Sequence, residues 1–436
     1  MNKERIITAI DLGSDKCTTL IAKVTEENQI QVLGFSAFPS RGMKRSVIID
    51  LEQVLNTVSK SLDAAERMAG FSVKTAIVSI SGTHIRYKNS RGVVAVSSPE
   101  QEIAAADVDR VIEAARAVSL PADREIIHVI PKDFKVDSQE GVKDPVGMTG
   151  VRLEAEAHII TGLSTSMRNI EKCMRDLGLQ VDAFVFSALA SAEIALTETE
   201  KELGVVLVDI GAGTTSIAAY VEGSLEFSAV IPVGAKHITQ DIALGCRIPM
   251  DDAEKLKLYL TENGPEKVSP KAGESKAELN KRRKQEDAID PVDLGIDAND
   301  FLSKKTLVNG IMQPRVKEIF TLVMEELEKA DLLSKNKVPA GLVITGGGAM
   351  TASLTEIAKR TSNLPVRVAH PEEISGLTED IKKPAFAVSV GLLAYAQRQG
   401  NFDTVSSEFK LKEVIPTDFL ANLGHKIKKI FKSILP

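Results

Sequence analysis

Residues 204–233 read GVVLVDIGAGTTSIAAYVEGSLEFSAVIPV. An apolar run ends in Asp209-Ile210-Gly211, a Thr- and Ser-rich strand follows, and a turn at Glu222-Gly223-Ser224 leads into a third strand, the pattern of a β-meander. Residues 6–35, IITAIDLGSDKCTTLIAKVTEENQIQVLGF, follow the same plan, roughly 200 residues earlier. A chain duplicated in this way, with helices on the faces of each sheet, predicts a two-lobed α/β architecture with a cleft between the lobes.

The rest of the sequence bounds the function. The chain has 436 residues, 43% hydrophobic, enough to fill several cores. A formal net charge of -6 argues against nucleic acid as a main partner. Three cysteines, Cys17, Cys173 and Cys246, stand far apart without pairing or metal-ligand spacing, and read as reduced thiols of a cytosolic protein. The N-terminus lacks a secretory h-region and no later stretch is long and apolar enough to span a bilayer, so the expectation is a protein neither exported nor membrane-spanning.

Apolar residues at three- and four-residue spacing predict helices over 51–69, 107–117, 166–177, 188–196, 250–260, 314–333, 351–360 and 385–397. Between 265 and 300 the composition turns charged and turn-forming, which reads as a mobile surface loop whose KRRK run, 281–284, is solvated. A weakly structured stretch, 400–416, separates the last globular helix from the end of the chain.

Three glycine turns carry the chemistry. Backbone N–H groups grip a phosphate chain only where side chains do not block the approach. In Asp11-Leu12-Gly13-Ser14-Asp15-Lys16, Ser14 offers a hydroxyl, Lys16 a positive charge, and Asp11 a carboxylate for the waters of a magnesium ion. In Asp209-Ile210-Gly211-Ala212-Gly213-Thr214-Thr215 the two glycines open the backbone and Asp209 supplies a second carboxylate. A third turn, Gly346-Gly347-Gly348-Ala349, follows an apolar strand and leaves a flat surface for a purine and ribose. Any one of these alone is an ordinary tight turn. In this order, each after a strand, the three predict a bound nucleotide.

Order and spacing resemble the actin, Hsp70 and sugar-kinase ATPase superfamily, in which such turns are the two phosphate motifs and the adenosine motif. The small-residue helices at 187–196 and 385–395 stand where its two inter-lobe helices would be. The resemblance implies that Glu254 and Lys257, three apart on one helix, contact the adenosine; the alternative is an exposed ion pair. Within the superfamily the chain, from Ile7 to about Arg398, is similar to the FtsA family of bacterial cell-division proteins. RGVVAVSS (91–98), VIPKDFKVD (129–137) and DPVGMTGVRLEAEAHIITG (144–162) look like that family's inserted subdomain 1C, and VIPVGAKHITQDIALG (230–245) like its entry into subdomain 2B.

The resemblance implies this division of the chain: 1A over 1–86, 163–202 and 368–400; 1C over 87–162; 2A over 203–235 and 306–367; 2B over 236–305; a tether over 401–416; and an amphipathic membrane-targeting helix over 417–436. It implies binding of ATP and Mg2+, actin-like protofilaments, and anchoring of FtsZ at the cytoplasmic face of the membrane at the division site. It also implies recruitment of other divisome proteins through 1C. Lys304, Lys305 and Arg315 are then candidates to receive the FtsZ C-terminal peptide, or simply solubilise a helix. For hydrolysis, the segment after AHIITG, LSTSMRNIEKC, offers hydroxyls at Ser164, Thr165 and Ser166 but no acid or imidazole to hold an attacking water. No catalytic residue is assigned, and at most slow ATP turnover is expected. Two competing readings are another actin-like scaffold, of pilus or secretion machinery, and a sugar-kinase-type phosphotransferase.

The last residues, LGHKIKKIFKSILP (423–436), separate cleanly on a helical wheel. Leu423, Ile427, Ile430, Phe431, Ile434 and Leu435 fall within roughly 140°, opposite Lys426, Lys428, Lys429 and Lys432. Such a face suits an anionic membrane surface, the alternatives being a helix docked on its own body or on a partner. Each apolar side chain is worth at most about 1.5–3 kcal/mol and each lysine about 1 kcal/mol. One copy should bind reversibly, and an array of copies far more firmly.

Overall fold

The computed structural model describes residues 5–98, 100, 102–265, 268–296, 302–334, 336–371, 375–376 and 379–399. The membrane-helix residues expected over 417–436, and the tether before them, lie outside the described residues.

The duplication seen in the sequence is a duplication of sheets. In lobe 1 the strands Arg5–Leu12, Lys16–Val24 and Ile30–Pro39 form the meander. Thr75–Ile80 joins the other edge of the first strand in parallel, and Gln180–Phe186 lies parallel beyond it. Lobe 2 repeats this order with Val205–Ile210, Thr215–Val221 and Ser224–Ile231, then Gly341–Thr345 and Val366–Val368 on the parallel side. The first strand of lobe 2 is buried throughout and that of lobe 1 over residues 7–10, because each is central in its sheet and covered on both faces.

In lobe 1 the helix Leu51–Ala69 covers the meander. Asp50 caps its N-terminus by accepting from the Gln53 amide, and Gly70 ends it in the left-handed region at φ 85°. It lies so close that a Cβ on Gly34 would stand 2.2 Å from the Ala65 carbonyl oxygen. Between the lobes run two helices, Ser187–Ala195 and Ala387–Gln399, rich in Ala and Ser. Their contact requires glycine at 391, where a Cβ would meet the Ala190 carbonyl oxygen at 2.0 Å.

Each lobe carries an insertion. In lobe 1 the chain leaves after Ile80 and builds a separate sheet in the order Arg86–Ala95, Arg152–Leu163, Arg124–Val136, Gln139–Val142, with helix Ala105–Arg116 on one face and its own apolar core. This unit also touches lobe 2. The buried His158 ring bonds Asn89 at 2.7 Å and Ser228 of lobe 2 at 3.0 Å, and Lys143 donates to the Glu222 carbonyl at 2.8 Å. In lobe 2 the insertion opens after the third strand with helices Ala235–Cys246 and Met250–Glu262.

The stretch 265–300, expected as a mobile loop, is a correction. It contains helix Lys276–Asp287, held at its start by a capping box in which Ser275 and Glu278 exchange hydrogen bonds. Ile289, Pro291 and Ile296 beyond it are buried. Composition hid this because the helix buries none of its residues, while three apolar anchors in a charged stretch tie it to lobe 2. Boundaries moved elsewhere too: the helix placed at 314–333 is Gln313–Lys329 after a π-helical turn at Thr306–Met312, and that placed at 351–360 is Leu354–Ser362 after a 3₁₀ turn at Gly347–Met350.

Candidate functional site

The two meander turns face each other across a cavity of about 560 Å³, within the size range of small-molecule sites. The first is tight because the Gly13 amide donates to the Lys16 carbonyl at 3.1 Å, and a Cβ there would meet that oxygen at 2.7 Å. The second repeats the bond from the Gly211 amide to the Thr214 carbonyl at 2.9 Å. Here, though, the glycine at 213 serves the other lobe: its Cβ would stand 2.8 Å from Ser14 Oγ. The third turn lies against the second carboxylate, with Gly346 at φ 85° and its Cβ position 2.3 Å from Asp209 Oδ1. No side chain fits at 346.

Asp11 and Asp209 stand near the ends of the two central strands, Asp209 buried and Asp11 partly so. Ser79 donates to Asp11 at 2.7 Å, and Ser191, from the first inter-lobe helix, donates to Asp209 at 3.1 Å. Burial pushes both carboxyls up, Asp209 to about 7 with a further push from the charge of Asp11. Two hard-oxygen donors whose ionisation is disfavoured form a donor set that a hydrated Mg2+ would relieve. Lys16 supplies positive charge next to Asp11. Burial lowers its pKa against the pull of Asp11 and Asp15, and its ammonium sits 3.7 Å over the Phe386 ring.

At the other end of the cavity, Lys257 is buried and donates to Glu254 at 2.7 Å and to Thr239 at 3.0 Å; Thr239 in turn donates to Glu254 at 2.5 Å. The pair is neither a bare surface ion pair nor isolated from the site, since both residues line the cavity with Leu258 and Met350. Those two apolar side chains stay largely exposed there.

Of the residues expected at the phosphates, Asp11, Gly13, Ser14, Lys16, Asp209, Gly211, Gly213 and Thr214 line the cavity, and so do Gly346, Gly347 and Gly348. Thr215 and Ala349 do not. The Thr215 hydroxyl donates to the Val233 carbonyl at 2.8 Å, and Ala349 packs into the lobe 2 core. Ser164 to Ser166 are also absent from the lining. Three other hydroxyls line the cavity instead, Ser81, Ser187 and Ser216, joined at 3.0 Å and 3.2 Å. Sequence reading missed these and Ser46, because they converge from four separate segments. Among the candidates for a peptide, Lys305 is exposed and Lys304 half-buried. Arg315 is spent internally, forking onto Asp241 at 2.6 and 2.9 Å and reaching Glu318 at 2.5 Å. The thiols of Cys17 and Cys173 are buried, and desolvation pushes them up to about 12 and about 11. They are chemically inert.

Two sheets of equal strand order, two inter-lobe helices and a cleft lined by glycine turns define an actin-like ATPase fold. The same fold is seen in the solved structure of a PilM–PilN type IV pilus biogenesis complex, 15% identical, covering 88% of this chain and 97% of that chain at a TM-score of 0.59. The family model described as "Cell division protein FtsA" matches residues 206–391, and "SHS2 domain inserted in FTSA" matches 82–161, the inserted unit of lobe 1. Cell division protein FtsA of Pseudomonas aeruginosa is 38% identical over 398 residues, 91% of each chain. That of Borreliella burgdorferi is 38% identical over 413 residues, 94% of this chain and 96% of the relative. That of Escherichia coli K12 is 34% identical over 398 residues, 90% of each. The chain belongs to the FtsA family of cell-division proteins.

Proposed function

We propose that this chain binds ATP with Mg2+ in the inter-lobe cleft, assembles into actin-like filaments, and anchors FtsZ filaments to the cytoplasmic face of the membrane at the division site. The observation that carries the nucleotide reading is the pair of carboxylates, Asp11 and Asp209, lining one cavity with two glycine turns from opposite lobes. When bound, Mg2+ would neutralise charge between those carboxylates and the phosphates. Ser14, Lys16, Thr214 and the amides around Gly13, Gly211 and Gly213 would hold the phosphates, and Gly346 to Gly348 with Glu254 and Lys257 the adenosine. Ser81, Ser187 and Ser216 are poor bases near neutral pH, which supports slow hydrolysis that marks filament state rather than fast turnover.

The inserted unit of lobe 1 is the surface we assign to other divisome proteins, and the lobe 2 insertion around Lys304 and Lys305 receives the FtsZ C-terminal peptide. Residues 417–436 form the peripheral membrane foot. Among the described residues no helix is long and apolar enough to cross a membrane. The test is co-sedimentation of the intact and 417–436-deleted chain with anionic liposomes, in ATP and with FtsZ present. The intact chain carries FtsZ to the pellet and the deleted one leaves it in solution; equal pelleting by both sinks the anchoring role.

A further inference from the structure

Between the lobe 1 meander and the helix Leu51–Ala69, the chain makes a short hairpin in which Met43 pairs with Ile48 and Lys44 with Val47. Its two turn residues, Arg45 and Ser46, both lie in the left-handed region, at φ 50° and 60°. Two such residues in succession are what a two-residue hairpin turn requires, and because neither is glycine the turn gains from surroundings that hold it. The surroundings are the two phosphate turns. The Ser46 amide donates to Ser14 Oγ at 2.8 Å, and the Ser46 hydroxyl shares a hydrogen bond with Thr214 Oγ1 at 3.1 Å. Arg45 Cα stands 3.1 Å from where a Cβ of Gly213 would be. One serine therefore ties lobe 1 to lobe 2 at the cavity wall that it lines itself. On the hairpin's other flank, Val47 packs 3.3 Å from the Cβ position of Gly82, where the chain enters the inserted unit of lobe 1.

We propose that this hairpin is a clasp that reads the terminal phosphate, with Ser46 as its positioning residue; the idea rests on the nucleotide reading above. Because the Ser14 oxygen accepts from the Ser46 amide, its own O–H is left to donate to a phosphate oxygen, which is acceptor only. The Thr214 hydroxyl is shared with Ser46, so a phosphate oxygen arriving there competes for that bond and shifts the turn. A nucleoside triphosphate reaches both hydroxyls, whereas a diphosphate ends one phosphate short. The difference passes to Gly82 through Val47, giving the inserted unit a mechanical report of which nucleotide is bound.

The experiment uses the full chain and compares dissociation constants for ATP and ADP in wild type and Ser46→Ala, with amide hydrogen exchange over residues 44–47. ATP is expected to slow exchange there more than ADP. Ser46→Ala is expected to lower the preference for ATP over ADP by threefold or more. Equal protection by both nucleotides, or an ATP:ADP ratio unchanged or raised in Ser46→Ala, overturns the clasp. If wild type binds neither nucleotide, it is the nucleotide reading that falls. The clasp is then judged without ligand by Thr214→Val, which should accelerate exchange at residues 44–47 about tenfold; unchanged exchange overturns it. Wild-type-like unfolding in Ser46→Gly, which suits the left-handed turn, separates loss of the hydroxyl from loss of the fold.

Discussion

The two Asp-x-Gly turns close the same hydrogen-bonded ring at the same place in two sheets whose meander and parallel strands run in the same order, yet divide the work differently. In lobe 1 the turn carries side-chain chemistry, Ser14, Asp15 and Lys16, and its glycine at 13 is needed by its own hairpin. In lobe 2 the turn is Gly211-Ala212-Gly213, nearly all backbone, and its glycine at 213 is needed by the opposite lobe. One half brings charge and the other makes room for it. Duplication thus supplied symmetric scaffolds, and the asymmetry lies in which atoms each presents to the cleft.

The largest expected effect breaks the feature the halves share. Asp11→Asn and Asp209→Asn remove the two carboxylates proposed to hold the cation's waters, and each should weaken Mg2+-dependent ATP binding by about 10- to 100-fold, as read by titration with a fluorescent nucleotide. Binding unaffected by either change would remove both carboxylates from the site.

The two glycines sharpen the contrast at smaller scale. Gly213→Ala pushes a methyl group against Ser14 and Arg45 across the cleft, an overpacking cost of about 1–3 kcal/mol that falls on lobe closure. ATP affinity should fall about tenfold while the melting temperature moves little. Gly13→Ala strains its own hairpin against the Lys16 carbonyl, so its loss should register first in thermal stability. If both variants lose stability equally and affinity equally, the division of labour is wrong.

The smallest effect is in pH. Asp209 has its folded pKa raised to about 7 by burial first and then by Asp11, against an unfolded value of about 3.9. The folded chain therefore holds that proton more firmly, and stability falls as pH rises from about 4 to about 7, remaining low above. His84, lowered to about 4 by burial and then by Arg124, and His128 and His158, lowered to about 3 chiefly by burial, act oppositely. They cost stability as pH falls below their unfolded value of about 6.5. The difference between wild type and Asp209→Asn cancels the contribution of these histidines, so it reads Asp209 between pH 6.5 and 8. In nucleotide-free protein, Asp209→Asn should melt about 1–2 °C above wild type at pH 8, with the gap narrowing at pH 6.5. A gap that does not change with pH would mean Asp209 is ionised throughout.

Most strands and the three glycine turns were legible because each is written in a local pattern: alternation or apolar runs for the strands, Asp-x-Gly and a triple glycine for the turns. The helix Lys276–Asp287 was not, since a helix that buries nothing leaves no apolar stripe, although its Ser275/Glu278 capping box was in plain view. Arg315 looked available until Asp241, far away in sequence, took both arms of its guanidinium. Thr215 looked like a cavity residue because its neighbour Thr214 lines the cavity. On a strand, successive side chains face opposite ways, and Thr215 turned to the Val233 carbonyl.

What the sequence determined by itself is the duplicated sheet, the order of the glycine turns and the family, because these depend on spacing along the chain. Tertiary structure decided which hydroxyls meet. Ser81, Ser187 and Ser216 converge on the cavity wall, and Ser46 bridges Ser14 and Thr214. Serine carries no positional signal in sequence, being equally at home on a surface or in a turn. Its role is fixed only when folding brings a second polar atom within hydrogen-bond reach and removes the water that would otherwise satisfy it.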